Sequence, residues 1–252
     1  MERSELSLIA HREHPIACPV SDQRMRQIVE MLTAPAEGSV LDLGCGFGAW
    51  LLQTLEVHPS LRGVGVDIAR PALAEAEREA ARRGLSGSVR WVESDGADWK
   101  NGTFDIVICV GASHIFGGLD RTLSALRTHL RPGGQVLLGD TIWERPPTRA
   151  APEKLQAGPA DFPDLAGLVS HVRERNFEIG HGHVSTLREW DDYEWSWTGS
   201  LVRWALDQTA GSQRQTEALS AAREHRDAWL NGYRKQLGFA TLILIDHENG
   251  AT

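Results

Sequence analysis

Between Ser39 and Val110 the chain alternates between short apolar runs and longer stretches of helical period. Val40, Leu41 and Leu43 form a first buried strand, which ends on a turn carrying Gly44, Gly46 and Gly48. Trp50, Leu51 and Leu52 then open a helix from Gly48 to about Val57, halted near Pro59. "LRGVGVD" is a second strand and ends on Asp67. "RPALAEAEREAARRG" has proline near its start, alanine and charge through its body and glycine after its end, the signals of a helix. "SVRWVESD" and "FDIVICV" are the third and fourth strands. Leu119, Leu123, Leu126 and Leu130 fall on one helical face, which Pro132-Gly133-Gly134 stops. "QVLLGDTIW" is a fifth strand, followed by a proline-rich loop, a helix over about Asp164 to Arg175, and a sixth strand in "FEIGHGHVST".

Before this alternation, residues 1–20 show no clear period, and Pro15 and Pro19 argue against a long helix. Met25, Ile28, Val29 and Leu32 put one apolar face on a helix starting at Asp22. After it comes a tryptophan-rich stretch of helical pattern, and then "LGFATLILID", a continuous apolar run that suits a fully buried strand. Strands alternating with helices imply an α/β fold, a largely parallel sheet with helices on both faces. The expected layout is a single domain. It has an N-terminal flap and helix over 1–35, a binding core over 36–186, a helical cap over 187–236 and a last strand over 237–252.

Composition narrows the partners. A formal net charge of −8 over 252 residues disfavours nucleic acid and anionic membrane. Cys18, Cys45 and Cys109 are an odd number without C-x-x-C spacing, which suits a reduced cytoplasmic protein and gives no zinc motif. The start of the chain is too charged for a signal peptide, and no apolar run is long enough to span a bilayer. The chain is expected to act as a monomer or homodimer.

A strand, a glycine turn and a helix in that order form a crevice of the nucleotide-binding kind. The glycine spacing here is G-x-G-x-G, whereas dinucleotide sites usually show G-x-G-x-x-G. Asp42 stands two residues before the first glycine, a poor neighbour for a pyrophosphate and a sensible one for a cation. Asp67 closes the second strand, where a carboxylate can bond a free ribose diol.

These motifs, "VLDLGCGFG", "GVGVD", "ESDGAD", "FDIVICVGASHIF" and "LRPGGQVLLGD", resemble those of the class I S-adenosylmethionine-dependent methyltransferases over about Ser39 to Trp143. "CVGASHIFGG", "GDTIWERPPT", "DFPDLAGLV" and "WDDYEW" are similar to a YjhP-like bacterial subgroup of small-molecule methyltransferases. The resemblance implies a Rossmann-like seven-stranded sheet whose last strand is antiparallel. It implies S-adenosylmethionine as methyl donor and S-adenosylhomocysteine as product. Gly44, Cys45 and Gly46 would pass beside the methionine part, with Asp42 below them. Asp67 would accept the ribose hydroxyls, with Ile68 next to it. Asp95, Gly96 and Ala97 would meet the adenine, and Val110 and Gly111 the methionine end.

The acceptor side is read from the residues. His114 follows the fourth strand, where a loop should face the transferred methyl, and an imidazole is suited to taking a proton near neutral pH. Trp190, Tyr193 and Trp197 share one helical face in "REWDDYEWSW". Either that stripe packs the cap onto the sheet, or Trp190 and Tyr193 wall an acceptor pocket with Trp143, with Glu144 at its rim. His11 and His14 in the flap are further candidates, His181 and His183 read as surface residues of an edge strand, and no histidine–carboxylate cluster has metal-ligand spacing. The expected activity is O- or N-methylation of a small molecule by in-line displacement. The competing readings are methyl transfer to carbon as in cyclopropane formation, a non-catalytic S-adenosylmethionine-binding protein, and a nicotinamide oxidoreductase.

Overall fold

The computed structural model describes residues 1–155 and 157–246. Seven strands make one sheet: β1 (Ser39–Leu43), β2 (Arg62–Asp67), β3 (Val89–Glu93), β4 (Phe104–Val110), β5 (Leu130–Trp143), β6 (Phe177–Val184) and β7 (Leu237–Asp246). Their order is β3-β2-β1-β4-β5-β7-β6. β7 runs antiparallel to both neighbours, while β1, β2, β3, β4 and β5 pair in parallel. The expected seven-stranded sheet with an antiparallel last strand is therefore present.

The helices are α1 (Arg3–Ala10), α2 (Asp22–Glu30), α3 (Ala49–Val57), α4 (Arg70–Arg82), α5 (Leu119–Arg127), α6 (Ala150–Leu155), α7 (Leu165–Glu174), α8 (Leu187–Leu206) and α9 (Gln213–Ala228). Side chains alternate across a strand, so each central strand feeds two cores. Val40, Ile106, Ile108 and Leu137 meet α2 and α3 on one face. Leu41, Val107, Cys109 and Leu138 meet α5 and α7 on the other. Each such side chain, when fully buried, contributes about 1.5–3 kcal/mol.

The chain leaves β1 on one side of the sheet toward β2 and β3, and returns on the other side to β4. That reversal opens a crevice between the carboxyl ends of β1 and β4, the usual ligand position in such sheets. α8 and α1 lie together above this edge. Leu6, Ile9 and Ala10 of α1 pack on Trp197 and Leu201 of α8 and Ala222 of α9. α8 begins with a capping box: Thr186 Oγ1 accepts from Glu189 N at 3.2 Å, and Thr186 N donates to Glu189 Oε2 at 2.9 Å. Glu189 Oε1 also accepts from Ser21 Oγ at 3.0 Å, which ties the start of α8 to the start of α2.

Several expectations need correction. The first residues contain α1, because Ile9 and Ala10 gain a tertiary face that local sequence does not announce. Leu130 belongs to β5, opposite Phe104, and is not the end of the preceding helix. "RPGG" lies inside that strand as a bulge: the register passes from Phe104↔Leu130 to Ile106↔Gln135, with Gly133 at φ 75°. The proline-rich loop carries α6, whose Ala151 and Pro152 are buried. His183 is not a surface residue, since its ring lies 3.2 Å from Glu189 with 10% of its side chain exposed. The part of the expected last strand beyond residue 246 lies outside the described residues.

Candidate functional site

The glycine turn is built by the neighbouring strand. Gly44 N and Cys45 N both donate to Val66 O, at 2.9 and 3.1 Å. Gly44 has φ 74°, and a Cβ there would sit 2.5 Å from that of Ala112, so a side chain is excluded on both counts. Gly46 has φ 52°, and a Cβ there would meet nothing within 4 Å, so its backbone faces open space. Its N–H donates to Asp67 Oδ2 at 2.7 Å. Asp67 Oδ1 accepts from Ala69 N at 2.8 Å. Each carboxylate oxygen keeps a second lone pair, so Asp67 can still accept from two hydroxyls.

Asp42 lies below the turn with 3% exposure. Burial and the Asp67 charge push its carboxyl up to about 8, against a hydrogen bond from the Leu51 backbone. A buried acid without a cationic neighbour is a place where a cation of a ligand gains most. Beside Asp67, Ile68 is 71% exposed, an aliphatic side chain standing on the protein surface. Asp95 Oδ1 accepts from Ala97 N at 2.9 Å and its side chain faces solvent. Gly96 is closed from behind by Ile115, 2.8 Å from where a Cβ would be. Val110 is partly exposed, and Gly111, at φ 71°, donates to Gly139 O at 2.8 Å. The crevice thus offers a buried acid at one end, an open diol acceptor in the middle, and an apolar ledge with a polar edge at the other. A ligand that is cationic at one end and carries a ribose and a planar base fits it.

Cys45 is a packing residue: burial, then the Asp42 and Asp67 charges, hold its thiol well above the ordinary range, so it is no nucleophile. Among the described residues no group of three or more His, Cys, Asp and Glu side chains is arranged to hold a metal ion.

The expected acceptor residues divide. His114 stands exposed on a single 3₁₀ turn, Ser113–Phe116, directly after β4. Trp190 and Tyr193 come together edge-to-face, with ring centroids 6.2 Å apart. Trp143 is buried at 5% exposure, its indole N–H held by Pro159 O at 2.9 Å and its ring against Phe162. It is core, not wall, because both its polar and its apolar demands are met inside the protein. Glu144 is exposed at the end of β5. Trp197 is a correction: its ring stacks on His225 at 3.7 Å, on the side of α8 that faces α9. Two turns, about 10 Å, further along α8, it meets α9 and α1 instead of the Trp190–Tyr193 pair.

Asp140, Phe47, His11 and His14 also stand at this edge. Asp140 Oδ1 accepts from Ser113 Oγ at 3.0 Å, and burial raises its carboxyl above the ordinary range. The sequence signal for it is a lone acid after the buried run "QVLLG". Phe47, inside the glycine turn, lies 6.4 Å from the His11 ring and lines a cavity of about 760 Å³ that continues toward α4. His11 is joined to Tyr193, His11 Nε2 lying 3.0 Å from Tyr193 Oη. No local pattern pairs residues so far apart in sequence.

Residues 40–134 match a family model described as a methyltransferase domain. Protein YjhP of Escherichia coli is 29% identical over 209 residues, 81% of this chain and 83% of YjhP. The X-ray structure of YjhP superimposes with a TM-score of 0.86, at 26% identity, covering 96% of this chain and 99% of that one. An S-adenosylmethionine-dependent methyltransferase of Thiobacillus denitrificans, crystallised with S-adenosyl-L-homocysteine, gives a TM-score of 0.88 at 26% identity, covering 98% and 99%. Nocamycin O-methyltransferase of Saccharothrix syringae is 35% identical over 114 residues, 44% of this chain and 40% of that enzyme.

Proposed function

We propose that this chain, a class I S-adenosylmethionine-dependent methyltransferase, methylates oxygen or nitrogen of a small molecule held between the glycine turn and the layer made by α1 and α8. The observation that carries the small acceptor is the bond between His11 and Tyr193, 3.0 Å long, which joins the N-terminal segment to α8 over the crevice. Such a roof suits a molecule that is engulfed and disfavours a polymer. The negative net charge points the same way against nucleic acid. The nocamycin O-methyltransferase is by its name an enzyme of a small molecule, which supports the reading.

Within this reading Asp42, Gly44, Cys45 and Gly46 receive the methionine part of the donor, and Val110 and Gly111 its reacting end. Asp67 accepts the ribose hydroxyls. Ile68 lies under the adenine, with Asp95, Gly96 and Ala97 at its edge. The donor supplies an activated methyl group when bound. The protein aligns the acceptor with it and keeps water out. His114, exposed on its turn after β4, orients the acceptor at the rim. Residues 36–186 act as the binding core, with 1–35 and 187–236 closing over it. The three unpaired cysteines suit a reducing compartment, the cytoplasm.

Two measurements test this. Asp67→Ala should weaken S-adenosylmethionine binding by about 1.5–3 kcal/mol, the worth of charge-assisted hydrogen bonds, with the melting curve little changed. Wild-type affinity in a calorimetric titration removes the ribose assignment. Incubation of the protein with methyl-labelled S-adenosylmethionine and a protein-free metabolite extract should yield a labelled small molecule by mass spectrometry. Label transferred only when a macromolecular fraction is added would overturn the small acceptor.

A further inference from the structure

The roof that joins the N-terminal segment to α8 contains more chemistry than closure needs. His11 Nδ1 lies 2.8 Å from Ser7 O. A carbonyl only accepts, so Nδ1 carries the ring proton and Nε2 presents its lone pair. The Tyr193 hydroxyl, 3.0 Å away, therefore donates to His11 Nε2. Its oxygen keeps lone pairs of its own. Ser7 carbonyl, imidazole and phenol stand in a row, the arrangement that orients a base and stabilises its protonated form.

The row is next to the reacting crevice, and two of its neighbours carry unpartnered polar atoms. Phe47, against which His11 packs, follows Gly46, the residue whose backbone faces open space. His14 meets the Tyr193 ring edge-on at 5.4 Å, and Trp190 does so at 6.2 Å. His14 Nδ1 and Trp190 Nε1 are buried polar atoms without a hydrogen-bond partner. Buried atoms of that kind are normally satisfied, so they point to a polar group that arrives from outside. Burial also keeps both imidazoles uncharged at neutral pH, His11 being pushed down to about 4 and His14 down as well. The titratable groups facing this cluster are Cys18 on the same segment, Asp22 at the start of α2, and Asp192, Glu194 and His225 from α8 and α9. None of these is a cation; the arginines of the adjoining cavity are Arg12, and Arg78, Arg82 and Arg83, which pair with Glu75, Glu79 and Glu56.

We infer that Tyr193 and His11 form a proton relay for an uncharged hydroxyl acceptor, which Trp190 and His14 help to hold. The inference rests on the small-acceptor reading above. As the acceptor oxygen forms its bond to the methyl carbon, the carbon–sulfur bond breaks and its electron pair stays on sulfur. The acceptor proton passes to Tyr193 Oη, and the proton of Tyr193 passes to His11 Nε2. The imidazolium is held by Ser7 O and loses its proton to water when the roof opens. Tyr193 touches the acceptor and is the catalytic residue; His11 acts through it.

The resting protein gives the first test. Nitrogen NMR should show His11 as the Nδ1–H tautomer, with the Nε2 signal shifted in Tyr193→Phe; an Nε2–H tautomer overturns the relay. The second test uses methyl-labelled S-adenosylmethionine with the protein-free extract. The wild type should yield a methyl ether. Tyr193→Phe and His11→Gln should slow its formation by about 10²-fold or more, with S-adenosylmethionine affinity within twofold of wild type. The wild-type rate should stay level with falling pH to about 5, whereas in His11→Gln it should rise with pH, because hydroxide must then take the proton. A labelled methyl ester or methylammonium, or variants that keep the wild-type rate and pH profile, overturns the relay and leaves the small acceptor standing. Donor bound with nothing in the extract labelled overturns both.

Discussion

Asp42→Asn is expected to stabilise the protein without ligand and to weaken its hold on S-adenosylmethionine by a hundredfold or more. Both effects have one cause. The carboxyl is buried at 3% exposure and its protonation is displaced up to about 8. In the unfolded chain the same group loses its proton near the ordinary carboxylate value, roughly 4. Between those two pH values the unfolded state holds fewer protons than the folded one, so stability falls as pH rises. An amide carries no such penalty, and the variant should gain about 1–2 kcal/mol at neutral pH. The ligand's cationic end would lose its buried counter-charge, a cost of about 3 kcal/mol. Calorimetric melting of the ligand-free protein from pH 5 to 8 should show a declining midpoint for the wild type and a flatter one for Asp42→Asn. Equal pH dependence in the two proteins, or unchanged donor affinity, would sink this account.

Glu194→Ala should produce the largest loss of stability of any single change considered. Glu194 is 1% exposed on α8. Its Oε1 accepts from the Tyr233 hydroxyl at 2.8 Å, and its Oε2 lies 2.7 Å from His225 Nε2. Tyr233 belongs to the π turn Trp229–Tyr233 that leads into β7, and His225 to α9. One carboxylate thus binds three successive pieces of the helical layer. Removing it strands the buried Tyr233 hydroxyl and the half-buried His225 ring, at a cost of about 3 kcal/mol. For a chain of this size that lowers the melting midpoint by roughly 2–4 °C for each kcal/mol. Glu194→Gln keeps an acceptor for Tyr233 and should lose far less. A melting midpoint for Glu194→Ala within a degree or two of wild type would show that the network adds nothing to the fold.

The sheet was legible because its signals are local. β1, β2 and β4 are short runs rich in valine, leucine and isoleucine, each closed by glycine or an acid, and the structure puts their ends at one edge. Asp42 and Asp67 could be read from their places at the strand ends, whereas Ile68, Asp95 and Gly111 came from the resemblance of the motifs. What stayed hidden depends on residues distant in sequence. α1 is a helix because of partners near positions 201 and 222. Leu130 reads as the fourth leucine of a helical stripe, but pairing with Phe104 decides its conformation. Trp197 shares a spacing with Trp190 and Tyr193, yet the layer is packed on both sides, and spacing does not say which side each ring faces. The His11–Tyr193 bond has no signature in either segment read by itself.

The place of β7 in the sheet bears on how the chain is made. β6 touches the sheet through β7, and β5 offers its outer edge to β7. Residues 144–236 are synthesised after that edge and before the strand that covers it. At ordinary translation rates the interval is roughly 5–20 s. Throughout it the nascent chain carries a five-stranded sheet with a bare, largely apolar margin, joined from residue 184 onward by a sixth strand that has nowhere to dock. The ribosome-bound intermediate is therefore a natural client for holding chaperones, and the arrival of β7, not of the helical layer, commits the sheet to its final width.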